Sequence, residues 1–201
     1  MTTNNGHDFV QSIIVDAVNK VNPLNGCVGV APVSCGAFLY EGFDFDFCQS
    51  VPGCAPAVAS GIKRVRPNAL VFTLQNEVDL SAAGLSEAIH AANRGENITI
   101  IFASDVEFTS KEPEEPNIDV CNMLAGLKKP VYVTRVYANE KNKEAALKAV
   151  TNAFTLQQQG KGFSLVEIVN VTVDEDSEEA KKLFEELPAK AFKDVCGVEK
   201  A

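Results

Sequence analysis

Residues 69–103 read ALVFTLQNEVDLSAAGLSEAIHAANRGENITIIFA, and this stretch decides the fold. Its two ends, residues 69–74 and 98–103, are almost continuously apolar, which is typical of strands buried on both faces. The intervening residues 80–94 have helical apolar spacing, and this pattern stops at Gly95. A buried strand, a helix and a second buried strand indicate a parallel β–α–β unit with a right-handed crossover.

The same alternation of strand and helix patterns continues along the chain. It predicts a three-layer α/β/α sandwich with a mostly parallel sheet, formed by a single domain over residues 1–201. Residues 35–49 are predicted to be an aromatic loop, residues 109–117 a mobile one, and Ser177 the N-cap of the last helix. The remaining helices are predicted at 8–21, 56–66, 118–127, 141–159 and 177–187, and the remaining strands at 28–33, 131–137 and 163–169.

Composition places the chain among ordinary globular proteins. Of its 201 residues, 46% are hydrophobic and 22% are charged, which allows a sizeable core. The net charge of −9 argues against nucleic-acid binding, because a phosphate backbone attracts basic surfaces. The apolar runs are shorter than a membrane span, and residues 1–8 lack the features of a secretory signal. We therefore expect a cytoplasmic protein with no nucleic-acid or membrane partner.

The cysteines show no Cys-x-x-Cys spacing, which is the strongest sequence signal for a zinc or redox site. Since no secretory signal is expected, free thiols are favoured over disulfides. We therefore predict reduced, structural thiols at all six positions, which are Cys27, Cys35, Cys48, Cys54, Cys121 and Cys196.

Four segments carry a resemblance to a known family: GVAPVSC at 29–35, APAVASGIK at 55–63, HAANRGENITIIF at 90–102 and KGFSLVE at 161–167. From Gly6 onward the chain resembles the β subunit, the thiamine-diphosphate-binding subunit, of 2-oxoacid:ferredoxin oxidoreductases. It is most similar to the branch that acts on 2-oxoglutarate or branched-chain 2-oxoacids. The resemblance implies the thiamine-diphosphate-binding fold. It also implies oxidative decarboxylation of a 2-oxoacid to an acyl-CoA, with electrons passed to ferredoxin.

The diphosphate-binding motif of this family is altered here. Gly-Asp-Gly-Asp corresponds to Asn76-Glu77-Val78-Asp79, and the resemblance gives Glu77 and Asp79 a cofactor-binding role. Glycine lets a backbone approach a diphosphate closely because it lacks a Cβ. We therefore expect the β-branched Val78 to obstruct both the turn and the ligand. Asn76 is expected to be the less harmful change, since asparagine tolerates unusual backbone angles.

Two carboxylates could still hold a divalent cation. The resemblance assigns Mg²⁺ to Glu77 and to Asp105, which stands with Ser104 where the family has Asn-Asn. Carboxylates are suitable ligands for Mg²⁺, but these two would add negative charge beside a diphosphate. The alternative is that both are solvated acids in loops at the ends of strands.

The resemblance gives four further residues a cofactor-binding role. His7 would point at the diphosphate, Ser34 and Cys35 would contact the thiazolium, and Gly53 lies in residues 52–54, Pro-Gly-Cys where the family has His-Gly-Arg. A lone His near a terminus is more often a partly exposed cap residue, so His7 keeps both interpretations.

Other elements of the family are missing. Its iron–sulfur cluster is bound by four thiolates, and only Cys35 is kept at those positions, so we expect no iron–sulfur cluster. Residues 106–116 replace the loop that covers the cofactor. The basic residues Lys63, Arg64 and Arg66 are interpreted as a solvated helix end, with a docking patch for an acidic partner as the alternative.

These losses favour a degenerate β-like subunit that acts as a partner or scaffold, in a homo- or hetero-oligomer with other oxidoreductase subunits and without a cofactor. The first alternative is a functional enzyme subunit that binds thiamine diphosphate with Mg²⁺. The second is a reshaped pocket for a different small ligand, since pockets at strand ends persist in such folds.

Overall fold

The computed structural model describes residues 5–32, 43–108, 118–173 and 177–191. The strands are β1 (Cys27–Pro32), β2 (Asp46–Ser50), β3 (Leu70–Gln75), β4 (Thr99–Phe108), β5 (Tyr132–Ala138) and β6 (Ser164–Val173). The helices are α1 (Asn5–Val21), α2 (Ala55–Val65), α3 (Leu85–Arg94), α4 (Val120–Ala125), α5 (Glu144–Gln158) and α6 (Glu178–Ala191). A π-helical turn, Val78–Gly84, leads directly into α3.

The strands form one sheet in the order β2–β1–β3–β4–β6–β5, and every pair is parallel. Helices α1 and α5 cover one face, on a core that includes Ile13, Phe72 and Phe154. Helices α2, α3 and α4 cover the other face, on a core that includes Val71 and Leu165. Both faces of the central strands are buried, which is why these strands are apolar along their length. The predicted three-layer architecture is confirmed.

Helix α6 packs near the carboxyl end of β6. Its Ala180 and Phe184 pack on Val169 and Val171 of β6. The predicted N-cap is confirmed, since the Ala180 N–H donates to Ser177 Oγ at 3.1 Å. This contact gives the carboxyl ends of the strands a small apolar core of their own.

One edge strand of the sheet, β2, was not predicted. Residues 46–49 of the predicted aromatic loop belong to β2, whose Asp46 is exposed and whose Ser50 is buried. An edge strand with mixed exposure lacks the continuous apolar run of a central strand, so its sequence signal is weak. The remainder of that predicted loop before Phe43, and the predicted mobile segment 109–117, lie outside the described residues.

The predicted strand 98–103 continues much further. β4 extends to Phe108 because it pairs with β6 residue by residue, from Thr99 opposite Ser164 to Phe108 opposite Val173. The helix predicted at 118–127 is shorter than expected, with α4 ending at Ala125. These differences arise from pairing partners distant in the chain, which local periodicity does not reveal.

The end of the sheet at which its strands begin, called the amino edge here, is stabilised by Gln157 of α5. Its Oε1 accepts the Val71 N–H at 2.7 Å, and its Nε2 donates to the Val71 carbonyl at 2.8 Å and to Thr99 Oγ1 at 2.9 Å. The Gln157 carbonyl also accepts a hydrogen bond from Asn97 Nδ2 at 3.0 Å. One side chain therefore ties α5 to the starts of β3 and β4.

The basic residues at the end of α2 also act within the fold. Lys63 is buried, and its Nζ donates to the Ala69 carbonyl at 2.6 Å. Arg64 pairs with Glu96, and Arg66 pairs with Asp46. The interpretation of these residues as a solvated helix end is therefore wrong for Lys63, because it satisfies a backbone carbonyl inside the protein.

The described cysteines, Cys27, Cys48, Cys54 and Cys121, are free thiols, as predicted for them. Cys35 and Cys196 lie outside the described residues. Within the described ranges, no helix combines the length and apolar character that crossing a membrane requires.

Candidate functional site

In parallel α/β folds, ligands bind beyond the carboxyl ends of the strands. The turn after β3 lies there, and it begins with a helix cap. The Leu80 N–H donates to the Asn76 carbonyl at 2.9 Å, and the Asp79 N–H donates to Asn76 Oδ1 at 3.0 Å. Glu77 already has helical dihedral angles, φ −60° and ψ −42°. Asn76 is therefore an N-cap residue whose side chain satisfies the third N–H of the first turn.

The three residues that follow the cap have different environments. Glu77 is exposed, and so is Val78, with 68% of its surface accessible, whereas Asp79 is completely buried. Among the described non-glycine residues only Asn22 has a positive φ, so Val78 is in an ordinary backbone conformation. Of the predicted cofactor ligands in this turn, Glu77 is accessible from solvent and Asp79 is not.

Gly53 and Gly84 hold two segments of this edge against each other. Gly53 has a φ of 80°, and a Cβ on it would lie 2.6 Å from the Ala83 carbonyl oxygen. A Cβ on Gly84 would lie 2.5 Å from the Asp79 carbonyl oxygen and 3.0 Å from that of Gly53. The turn that contains Gly53 therefore packs backbone to backbone on the π-helical turn, and Gly53 has a packing role whatever it binds.

Asp105 is exposed to solvent, as the alternative interpretation expected, but it does not lie in a loop. It lies within β4 opposite Asn170 of β6, whose Nδ2 donates to Asp105 Oδ1 at 2.8 Å. Because β3 and β4 are neighbours, with Gln75 opposite Phe102, Glu77 and Asp105 follow the same edge of the sheet. Within the described residues, no group of three or more His, Cys, Asp and Glu side chains is arranged to hold a metal ion.

Among the described residues, two buried polar atoms at this edge have no hydrogen-bond partner: Ser50 Oγ at the end of β2 and Gln75 Nε2 at the end of β3. Gln75 Oε1 accepts a hydrogen bond from Thr73 Oγ1 at 3.1 Å. Sequence reasoning did not single out either residue. The available signal was a polar residue that ends an otherwise apolar strand.

A buried charged network, also missed from the sequence, joins β5, β6 and α4. Arg135 Nε donates to Glu167 Oε2 at 2.6 Å, and Arg135 Nη2 donates to Asp119 Oδ1 at 3.0 Å. Cys121 Sγ lies 3.1 Å from the same Glu167 oxygen. Burial, together with the negative charge of Glu167, raises the pKa of the Cys121 thiol far above its usual range. This thiol is therefore held protonated and is not a nucleophile.

Three predicted residues cannot be placed in the site. His7 lies in α1, but its side chain is outside the described part of the chain. Ser34 and Cys35 lie in residues 33–42, which are also outside it. Their cofactor-binding roles stay predictions.

No family model matches the chain. Over 94% of its length, it is 29% identical to the ketoisovalerate oxidoreductase subunit VorA of Methanothermobacter thermautotrophicus and 30% identical to that of Methanothermobacter marburgensis. The chain is therefore similar in sequence to subunits of a ketoisovalerate oxidoreductase. It spans about half the length of these curated relatives, 46% in each case.

Solved structures show the same fold. A 2-oxoglutarate:ferredoxin oxidoreductase from Magnetococcus marinus matches 84% of the chain and 62% of its own chain, with a TM-score of 0.65 and 16% identity. An enzyme from Mycobacterium smegmatis described as thiamin diphosphate-dependent matches 81% of the chain and 32% of its own, with a TM-score of 0.55 and 12% identity. The predicted thiamine-diphosphate-binding fold is confirmed.

The resemblance implies thiamine diphosphate held through Mg²⁺, and the turn after β3 has one N–H fewer to offer such a ligand. The N–H groups of a helix start bind anions when they are available, and here Asn76 Oδ1 takes the Asp79 N–H. A divalent cation alone would find Glu77 and Asp105 at this edge, and Asp105 is already bonded to Asn170.

Proposed function

We propose that the chain is a partner or scaffold subunit of a 2-oxoacid oxidoreductase-type assembly and does not itself carry out cofactor chemistry. The observation that carries this proposal is the course of β4, which continues as a paired strand through Ser104 and Asp105 to Phe108. In the family that the chain resembles, this position holds Asn-Asn and then a loop that covers the cofactor. A strand that is hydrogen-bonded to its neighbour cannot also fold over a ligand as a loop.

The homologues support an assembly role, because both relatives are named as subunits of a ketoisovalerate oxidoreductase. The chain spans about half of their length, so any complete enzyme needs further polypeptide. The sheet and its helices are complete around the altered turn. An intact framework with an altered ligand-binding edge is what a subunit retained for association would keep.

Association is tested by co-expressing the chain with the products of its neighbouring genes, followed by size-exclusion chromatography with light scattering. We expect a stable complex of defined stoichiometry with at least one oxidoreductase-type subunit. A chain that stays monomeric and joins none of these products would contradict the proposal.

The proposal includes the absence of an iron–sulfur cluster, because three of the four thiolate positions of the family lack cysteine. Anaerobic purification followed by visible absorption spectroscopy and iron and sulfide analysis tests this part. Stoichiometric iron with sulfide would overturn it.

One observation favours a second candidate, a subunit that still binds thiamine diphosphate with Mg²⁺. Glu77 is exposed at the same edge as Asp105, and both offer the carboxylate oxygens that Mg²⁺ accepts. Calorimetric titration of the chain with thiamine diphosphate and Mg²⁺ separates the two candidates. Saturable heat that depends on Mg²⁺ and is lost in Glu77→Gln would favour the second, and no heat at millimolar ligand would exclude it.

A further inference from the structure

We propose that Asn76 is a built-in substitute for a bound anion at the start of the π-helical turn, and that this cap, rather than the bulk of Val78, keeps phosphate groups out. The inference deepens the proposed function, since it names the residue that closes the ligand-binding edge. It concerns anion binding by the isolated chain. The inference can therefore fail while the assembly role holds, and the assembly role can fail while the inference holds.

The geometry of the cap carries the inference. A helix start leaves N–H groups that point out of the first turn, and an anion oxygen that accepts from them is stabilised. Asn76 Oδ1 occupies that acceptor position for the Asp79 N–H at 3.0 Å, and the Asn76 carbonyl accepts the Leu80 N–H at 2.9 Å. An incoming phosphate oxygen would have to displace an acceptor that is covalently attached and already in place.

The charges of the turn act in the same direction. Glu77 and Asp79 both lie within its first four residues, where carboxylates interact favourably with the positive end of the helix dipole. Pyrophosphate added without a divalent cation would be repelled by the exposed Glu77. The Asp79 N–H is therefore satisfied by the chain itself, and the charge of Glu77 disfavours a free anion beside it.

The position of Val78 does not agree with steric obstruction of a ligand by its side chain. Its side chain is 68% exposed, and its backbone needs no positive φ. A side chain so open to solvent can move aside at little cost, whereas removing the Asn76 hydrogen bond leaves a donor to satisfy. The sequence interpretation, in which Asn76 is the milder of the two changes, is reversed by this inference.

The experiment uses inorganic pyrophosphate as the probe in calorimetric titrations of the whole chain. Two variants differ only in the cap: Glu77→Gln, which keeps Asn76, and the double variant Asn76→Gly with Glu77→Gln. Glycine is chosen because it costs a helix start only a few tenths of a kcal/mol relative to asparagine, so the fold should persist. Circular dichroism and the melting temperature verify folding before titration.

We expect no pyrophosphate binding in the unaltered chain or in Glu77→Gln, and at least a tenfold gain in affinity in the double variant. Val78→Ser should produce no gain. Asn139→Gly is the matched control, because Asn139 Oδ1 accepts the Lys141 and Asn142 N–H groups at 3.0 Å each, in a turn that does not itself begin a helix. It should lower the melting temperature slightly and bind no pyrophosphate.

Each contrary outcome overturns the inference. These are a folded double variant that gains no affinity, a gain in Val78→Ser alone, or pyrophosphate binding by the unaltered chain. If the double variant melts too low to titrate at room temperature, it is titrated in the cold and judged by the same criteria. The second readout is the melting temperature, which pyrophosphate should raise only in the variant that lacks the Asn76 cap.

Discussion

The two edges of the parallel sheet are built in contrasting ways. At the amino edge, side chains reach across elements to satisfy buried backbone groups, as Gln157 does for Val71 and Lys63 does for Ala69. Among the described residues, both edges hold buried polar atoms without a hydrogen-bond partner, Asn97 Oδ1 and Ser164 Oγ at the amino edge and Ser50 Oγ and Gln75 Nε2 at the carboxyl edge. At the carboxyl edge, the Asn76 side chain bonds within its own turn, and Val78 is exposed there.

The difference shows how a ligand-binding edge can change while the fold persists. Side chains that tie strands and helices together hold the sheet, and those at the amino edge have no part in a ligand site beyond the carboxyl ends. Substitutions in the turn after β3 therefore act on binding more than on stability. The framework can therefore keep its shape while the residues of this turn vary.

The largest effect is expected from the buried pair that ties α4, β5 and β6 together. Arg135→Met would leave Glu167, only 2% exposed, without its cation and should cost about 3–5 kcal/mol of unfolding free energy in urea. Replacing both Arg135 and Glu167 by Met should cost less than Arg135→Met alone, because the buried charge of Glu167 is then gone and only the more exposed Asp119 loses its partner. Arg64→Met, which breaks an exposed pair, should cost under about 1 kcal/mol. A double variant as unstable as the sum of its single variants would contradict this explanation.

The amino edge is tested by Gln157→Ala. The change leaves the buried N–H and carbonyl of Val71 without these partners and should cost about 2–4 kcal/mol. Gln158→Ala is the matched control, because Gln158 is the next residue in the same helix and is exposed, and its effect should be within about 0.5 kcal/mol. Equal urea midpoints for the two variants would show that the amino edge is not fastened by this side chain.

A smaller effect, dependent on pH, is expected at Glu96 on the amino side. Burial alone would raise its pKa, but hydrogen bonds from Arg94 and Arg64 and their charges bring the pKa below its ordinary value of 4.5. A lowered carboxyl pKa stabilises the fold above the ordinary value, and this contribution is lost as the pH falls through the folded-state pKa. Glu96→Gln should therefore be less stable than the unaltered chain at pH 7, by under about 1 kcal/mol, with the gap closing towards pH 3. A gap in melting temperature that is constant from pH 7 to pH 3 would count against the ion pairs.

The smallest effect on stability is expected at the carboxyl edge itself. Val78→Ser should change the unfolding free energy by less than about 0.5 kcal/mol, because most of the side chain is already in contact with water. Val51→Ser, at an equally exposed position of the neighbouring turn, should behave in the same way. A loss above about 1 kcal/mol in urea unfolding would show that Val78 is packed against another part of the chain.

Much of this architecture could be read from local patterns. The apolar runs at 69–74 and 98–103, with a helical stretch between them, predicted a parallel unit, and both runs became central strands. Ser177 was recognised as an N-cap because a cap depends on residues within one turn. β2 was missed because an edge strand buries only some of its side chains. In the candidate site, sequence comparison located the turn at Asn76, but it did not predict that this side chain would cap the helix.

The sequence by itself determined the alternation of strands and helices and the relationship to the oxidoreductase family, because periodicity and motifs are recorded residue by residue. Only the tertiary structure decided which polar groups are buried and what they bind. Asp79 looked like an accessible ligand and is enclosed, while Asp105 looked like a loop acid and is paired across two strands with Asn170. The extension of β4 to Phe108 likewise depends on β6, which lies more than fifty residues later in the chain. Burial and strand pairing are set by contacts between residues far apart in sequence, and a local pattern does not contain them.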